Sequence, residues 1–111
     1  MAAENVQQLL AQAQLYQQQM QTVAAQKTAS SLELHEIKKA LEELEKTTEK
    51  TVYKISGPVL VKSETESVKK ELKEREELLT VRMKAVERQE KDIRVKMEEL
   101  REKLSGISEG D

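Results

Sequence analysis

The side chains of this chain that could do chemistry are few in kind: one histidine, no cysteine, and acids and bases nearly in balance at a formal net charge of −2. General acid–base or nucleophilic catalysis needs such groups gathered in a concave, partly desolvated site. Here the acids instead stand four residues ahead of bases, as in Glu66 and Lys70, Glu71 and Arg75, Glu87 and Lys91, Glu90 and Arg94, and Glu99 and Lys103. On a helix that order predicts solvated ion pairs worth about 0.2–0.5 kcal/mol each. His35 follows a seam residue, Leu34, and is expected on the solvent side. There is no Gly-rich phosphate loop and no His/Cys zinc spacing, so the expectation is no enzyme, no cofactor and no metal.

The same composition narrows the partners. Acidic and basic residues are interspersed, and no block of Lys and Arg precedes the apolar repeats, so nucleic acid and anionic membranes are not expected partners. No stretch approaches the roughly 18 apolar residues of a membrane span, and the first residues lack the basic and apolar regions of a signal peptide. The absence of cysteine fits a reducing compartment. The expectation is a cytoplasmic chain that works through its surfaces. With 36% charged residues and only two aromatics, its apolar groups must be set in a line to be buried at all.

That line is visible. Val6, Leu9, Ala13, Tyr16, Met20, Val23, Lys27, Ser30, Leu34, Ile37, Leu41 and Leu44 alternate three and four apart, and all but Lys27 and Ser30 are apolar or Tyr. This is an a/d heptad seam with Val6 at a, the mark of a coiled coil. Gln fills most outward positions early in the helix, Glu and Lys the later ones. In the second half Leu72, Leu79, Val86, Ile93, Leu100 and Ile107 recur at strict sevens, with Glu76, Met83, Glu90, Met97 and Leu104 between them. A strict seven imposes a left-handed supercoil. Lys27 and Ser30, with Met83, Val86 and Glu90 expected nearby, are either a register-fixing device or a tolerated weak layer.

Between the two seams lies the only stretch without helical periodicity. Val52, Tyr53, Ile55, Val59, Leu60 and Val61 flank Ser56-Gly57-Pro58, which predicts two short antiparallel strands and a tight turn. Tyr53 and Ile55 should face one side and Val52 the other. An isolated hairpin with apolar residues on both faces is unstable in water, so its partners are expected on other subunits. Helices are expected at about 4–47 and 64–105, with the hairpin at about 51–63. Ser63-Glu64-Thr65-Glu66 reads as a capping box for the second helix. Ser105-Gly106 reads as its end, and Ser108 to Asp111 as a frayed tail.

The fold class is therefore mainly α, an antiparallel two-helix coiled coil in a single domain, 1–111, with a β-hairpin at the turn. Facing pairs of Leu41 with Leu72, Leu34 with Leu79, Met20 with Ile93 and Leu9 with Leu104 are expected, within one heptad of slip. Both chain ends then meet, bringing Val6, Leu9, Leu10 and Ala13 beside Leu100, Leu104 and Ile107. These residues either close the coiled coil or offer an apolar binding surface.

At the hairpin, Val52-Tyr-Lys-Ile-Ser-Gly-Pro-Val-Leu-Val-Lys62 resembles the strand–turn–strand core of the β-type subunits of prefoldin. Tyr16-Gln-Gln-Gln-Met20 and Glu87-Arg-Gln-Glu-Lys91 resemble segments of that family's two helices. The interval from Thr47 to Ser63 has room for one hairpin, whereas alpha-type subunits carry two. The resemblance implies a hetero-hexamer of two alpha-type and four β-type copies, with the hairpins assembling into an intersubunit β-barrel. It also implies an ATP-independent holdase whose coiled-coil tips grip unfolded polypeptides and deliver them to a group II chaperonin. In that case the apolar residues at the helix ends are the client-binding tips. The alternative is a structural coiled-coil adaptor whose hairpin is only an oligomerisation element.

Overall fold

The computed structural model describes residues 2–109. Helix α1 spans Ala2–Lys46, strand β1 Thr51–Ser56, strand β2 Val59–Glu64 and helix α2 Thr65–Glu109. The chain packs as two compact units, unit 1 from Met1–Thr28 with Lys84–Asp111 and unit 2 from Ala29–Met83. Within each unit α1 and α2 run antiparallel: in unit 1 Leu9 lies by Ile107 and Lys27 by Glu90, and in unit 2 Glu33 lies by Arg75 and Glu45 by Lys69.

The seam residues lie where their spacing puts them. Each of the twelve seam residues of α1 from Val6 to Leu44 is buried or half-buried, as is each seam residue of α2 from Leu72 to Ile107. The most enclosed are Val23, Ile93 and Leu100 in unit 1 and Ile37 and Leu79 in unit 2, Leu79 being 2% exposed. Burying a side chain of that size stabilises the pairing by about 1.5–3 kcal/mol, several times the worth of an exposed ion pair. The apolar stripe, not the charged surface, therefore decides that the helices pair.

α1 ends at Lys46, where Thr47 and Thr48 interrupt the helix. The Thr47 amide makes the last helical bond, to the Glu43 carbonyl at 3.1 Å, and the Thr47 hydroxyl accepts from the Glu49 amide at 3.2 Å. β1 and β2 pair antiparallel with Ser56 opposite Val59, leaving Gly57-Pro58 as a two-residue turn. Gly57 has φ +58°, the sign that a primed hairpin turn asks of its first central residue. Nothing lies within 4 Å of the place a Cβ would occupy there, so glycine is needed for its backbone and not for room.

The capping box does not form. Ser63 is still in β2, opposite Val52, and its hydroxyl donates to the Val61 carbonyl at 3.5 Å. Thr65 instead anchors the start of α2. It is 4% exposed, its amide donates to the Lys50 carbonyl at 2.9 Å and its hydroxyl to the Glu49 carbonyl at 2.7 Å. The strand runs one residue further than expected because these two bonds tie the base of the hairpin to the loop before β1. At its other end α2 passes through Ser105-Gly106 and continues to Glu109. A helical Gly costs about 1 kcal/mol relative to Ala, and half-burying Ile107 at the next seam position compensates. Gly110 and Asp111, the end of the expected tail, lie outside the described residues.

The pairing of charges also differs from the expected i,i+4 ladder. Among the described residues only Glu90–Arg94 forms, at 3.6 Å. Glu71 reaches Lys54 on β1 at 2.7 Å, Arg75 reaches Glu33 on α1, and Glu66 takes Lys69 at i,i+3. Long side chains beside a seam find acids across it as easily as along their own helix, and a forked guanidinium gains two bonds there.

Candidate functional site

The hairpin carries the three most exposed large apolar side chains of unit 2. Cross-strand pairing puts Tyr53, Ile55 and Leu60 on one face and Val52, Val59 and Val61 on the other, as the alternation predicted. Tyr53 is 69% exposed, Ile55 76% and Leu60 67%, while Val59 and Val61 are also open and Val52 is half-buried. Lys54, on the Val52 face, is held by Glu71 of α2. That ion pair ties the less exposed face toward α2 and leaves the Tyr53–Ile55–Leu60 face turned outward. In a two-stranded sheet each strand also keeps one edge of backbone donors and acceptors unpaired. A surface of this kind can add strands or pack against another sheet.

Unit 1 contains the helix-end residues. Leu100 is buried; Val6, Leu9, Ala13, Leu104 and Ile107 are half-buried in the seam; Leu10, beside the seam at an e position, is 50% exposed. One cleft brings together Leu9 and Ile107, with Asn5, Gln8 and Lys103 around them. A second, an open groove of about 550 Å³ on the e flank, is lined by Ala13, Met20, Met97, Leu100 and Leu104, with Arg94, Glu98 and Arg101 at its rim. Val6 and Leu10 line neither cleft. Met20 and Met97 are therefore candidate site residues that the sequence reading assigned to the seam alone. Their a positions in two facing heptads, and the adaptability of methionine in grooves that take varied side chains, were the available signal.

Near the Thr28 and Lys84 boundary of unit 1 the seam carries charge. Lys27 Nζ lies 3.2 Å from Glu90 Oε1, and Arg94 approaches the same oxygen at 3.6 Å, with the Glu90 side chain only 13% exposed. A partly buried carboxylate with two cations is a satisfied polar layer in the seam, the arrangement that a register-fixing device has. The alignment stands one seam position beyond the expected Leu9–Leu104 and Met20–Ile93 pairs, inside one heptad of slip. In unit 2 the matching device lies at the seam's edge. Arg75 Nε and Nη2 donate to the two Glu33 oxygens at 2.8 and 3.3 Å. These bonds, with the charges of Arg75 and Arg82, hold the Glu33 carboxyl below the usual carboxylate value against the opposing pull of desolvation. His35 is exposed. Among the described residues no group of His, Asp and Glu could hold a metal ion, and no helix is long and apolar enough to cross a membrane.

Two long helices, paired through a heptad seam and joined by one exposed hairpin, define a coiled-coil assembly subunit. A family model described as "Prefoldin subunit" matches residues 7–109. The prefoldin subunit beta of Thermococcus onnurineus is 50% identical over 100 residues, covering 89% of this chain and 86% of that protein. That of Archaeoglobus fulgidus is 42% identical over 103 residues, covering 92% and 89%. The crystal structure of the prefoldin beta subunit from Thermococcus strain KS-1 superposes with a TM-score of 0.79 at 43% identity, over 96% of this chain and 91% of that one. The chain belongs to the prefoldin subunit family, a family of non-enzymatic chaperones, and within it to the beta subunits.

Proposed function

We propose that the chain, acting as one domain over 1–111, is a subunit of an ATP-independent cytoplasmic holdase that binds nonnative polypeptides at its helix ends and passes them to a group II chaperonin. Its hairpin joins it to alpha-type subunits and to further β-type copies in a hetero-hexamer, closing strand edges into a barrel. The observation that carries the reading is the apolar groove of unit 1, where Ala13, Met20, Met97 and Leu104 stay accessible, with Leu10 half-exposed elsewhere on the same unit. The exposed hairpin faces support the assembly half in the same way.

The physical mechanism is weak apolar capture repeated over several copies. One buried Leu contributes about 1.5–3 kcal/mol before ordering costs, too little for a lasting complex. Several such grooves on one assembly raise the effective concentration of each for the same client, while each single contact remains easy to release. Capture of this kind uses no nucleotide, and low affinity per site is what transfer to a second chaperone requires.

The test is suppression of client aggregation, followed by light scattering, with the parent assembly beside one in which Leu9, Leu10, Leu104 and Ile107 are changed to Ser. The expected result is strong suppression by the parent and little by the variant. Equal suppression by both would overturn the assignment of the site, and no suppression by the parent would favour the adaptor.

A further inference from the structure

The two flanks of the unit 1 seam differ in chemistry. The e flank holds the apolar groove; on the other, successive g positions of α1 are Asn5, Gln12, Gln19 and Gln26, amides at strict sevens. All four are exposed, and none makes a side-chain hydrogen bond among the described residues. Coiled coils ordinarily place charges at g to pair across the seam. The following g position in this chain, Glu33, does so with Arg75. The amides thus give up an available ion pair and gain no internal bond in exchange. Gln19 and Gln26 face Gln89 and Lys96 of α2 across an open cleft of about 520 Å³, with the half-exposed Leu15 also in its wall.

A primary amide presents one acceptor and two donors without net charge. Amides seven residues apart on a helix stand roughly 10 Å from one another, about the length of three residues of extended chain. The matching ligand presents donors and acceptors continuously and has no fixed charge pattern, which describes an extended peptide backbone. Unsatisfied backbone groups are also what distinguishes a nonnative chain, since folded proteins pair theirs internally. We propose that the g flank of unit 1 binds the main chain of an extended client polypeptide through Gln19, Gln26 and Gln89, with Asn5 and Gln12 continuing the row. This rests on the client-binding reading above and adds a second component to it. The apolar groove takes client side chains, the amide flank takes main chain, and neither selects a sequence.

The probe is a pair of apolar synthetic peptides of one sequence, one with ordinary peptide bonds and one N-methylated at alternate residues, followed by fluorescence anisotropy with the full chain. The ordinary peptide is expected to bind about tenfold more tightly, since N-methylation removes its backbone donors. A triple variant, Gln19→Ala, Gln26→Ala and Gln89→Ala, keeps its helicity because Ala is the best helix former at exposed positions. It should bind both peptides equally, at the level of the N-methylated peptide on the parent. Equal binding of the two peptides by the parent would overturn the proposal and leave apolar capture standing. A preference undiminished in the triple variant would overturn the assignment to these residues. Binding of neither peptide would overturn the amide reading and apolar capture together.

Discussion

Unit 2 ties its elements to one another through several polar links, and unit 1 through a single one. In unit 2 Glu33 is gripped by Arg75, Glu45 lies 3.8 Å from Lys69, Glu71 holds Lys54 of the hairpin, and Thr65 closes the hairpin base with two backbone bonds. Its most exposed large apolar side chains, Ile55, Tyr53 and Leu60, stand together on one face of the hairpin. In unit 1 the one link across the seam among the described ion pairs is the Lys27–Glu90 layer, and the flanks are an apolar groove and a row of unpaired amides. A locked base beneath an apolar sheet suits permanent assembly. A seam with free, chemically varied flanks suits transient contact with many clients.

The largest effect expected from breaking this contrast is at the hairpin. Ile55→Asp with Val61→Asp places a charge on each face and, on assembly, buries both without a partner, at several kcal/mol per charge. Sedimentation velocity with an alpha-type partner should show the assembly lost while the helices persist by circular dichroism. An unchanged complex would remove the hairpin from the interface.

Next in size is the charged layer. Lys27→Leu leaves the Glu90 carboxylate partly buried with only Arg94 at 3.6 Å, and the thermal midpoint should fall by an amount equivalent to about 1–3 kcal/mol. Pairing it with Glu90→Leu should restore or exceed the parent, because an apolar pair can replace a buried ion pair at no loss. A midpoint raised by Lys27→Leu alone would show that the layer is merely weak.

Gly57→Ala sharpens the view of the turn. An L-residue at φ +58° costs about 1–2 kcal/mol, so assembly should weaken without changing its stoichiometry. The smallest effect is a pH dependence. Glu33 titrates below its ordinary value of 4.5 in the folded chain, so its contribution is complete above that value and disappears as pH falls through the lower folded one. Glu33→Gln should flatten that acid limb of the thermal midpoint and change little at neutral pH, since the pair is partly solvent-exposed. An acid limb equally steep in the variant would assign it to other carboxylates.

The seam was legible residue by residue because burial at period 3.5 leaves its mark on every turn, down to the half-burial of Lys27 and Ser30. The hairpin was legible because β-branched residues, Gly57 and Pro58 admit few other conformations. The start of α2 was not. A capping-box pattern at Ser63 is local, whereas the bonds from Thr65 to Glu49 and Lys50 exist only once β1 has brought the loop alongside. The ion pairs misled for the same reason, since Glu71 and Arg75 found partners on β1 and α1 that sequence spacing cannot display. Gly106 was read as a stop by its propensity alone, although Ile107 at the next seam position supplied the reason for the helix to continue. In the candidate site the apolar helix-end residues were visible, but Met20 and Met97 were hidden by belonging to the seam as well as to its groove.

The division of labour between the two units can be tested in one native mass spectrometry experiment on the assembled complex incubated with a chemically unfolded client. The parent should appear as a hetero-hexamer with client bound. The Leu9, Leu10, Leu104 and Ile107 to Ser variant should appear as the same hetero-hexamer without it. Client retained on that variant, or loss of the hexamer itself, would contradict the separation of capture in unit 1 from assembly in unit 2.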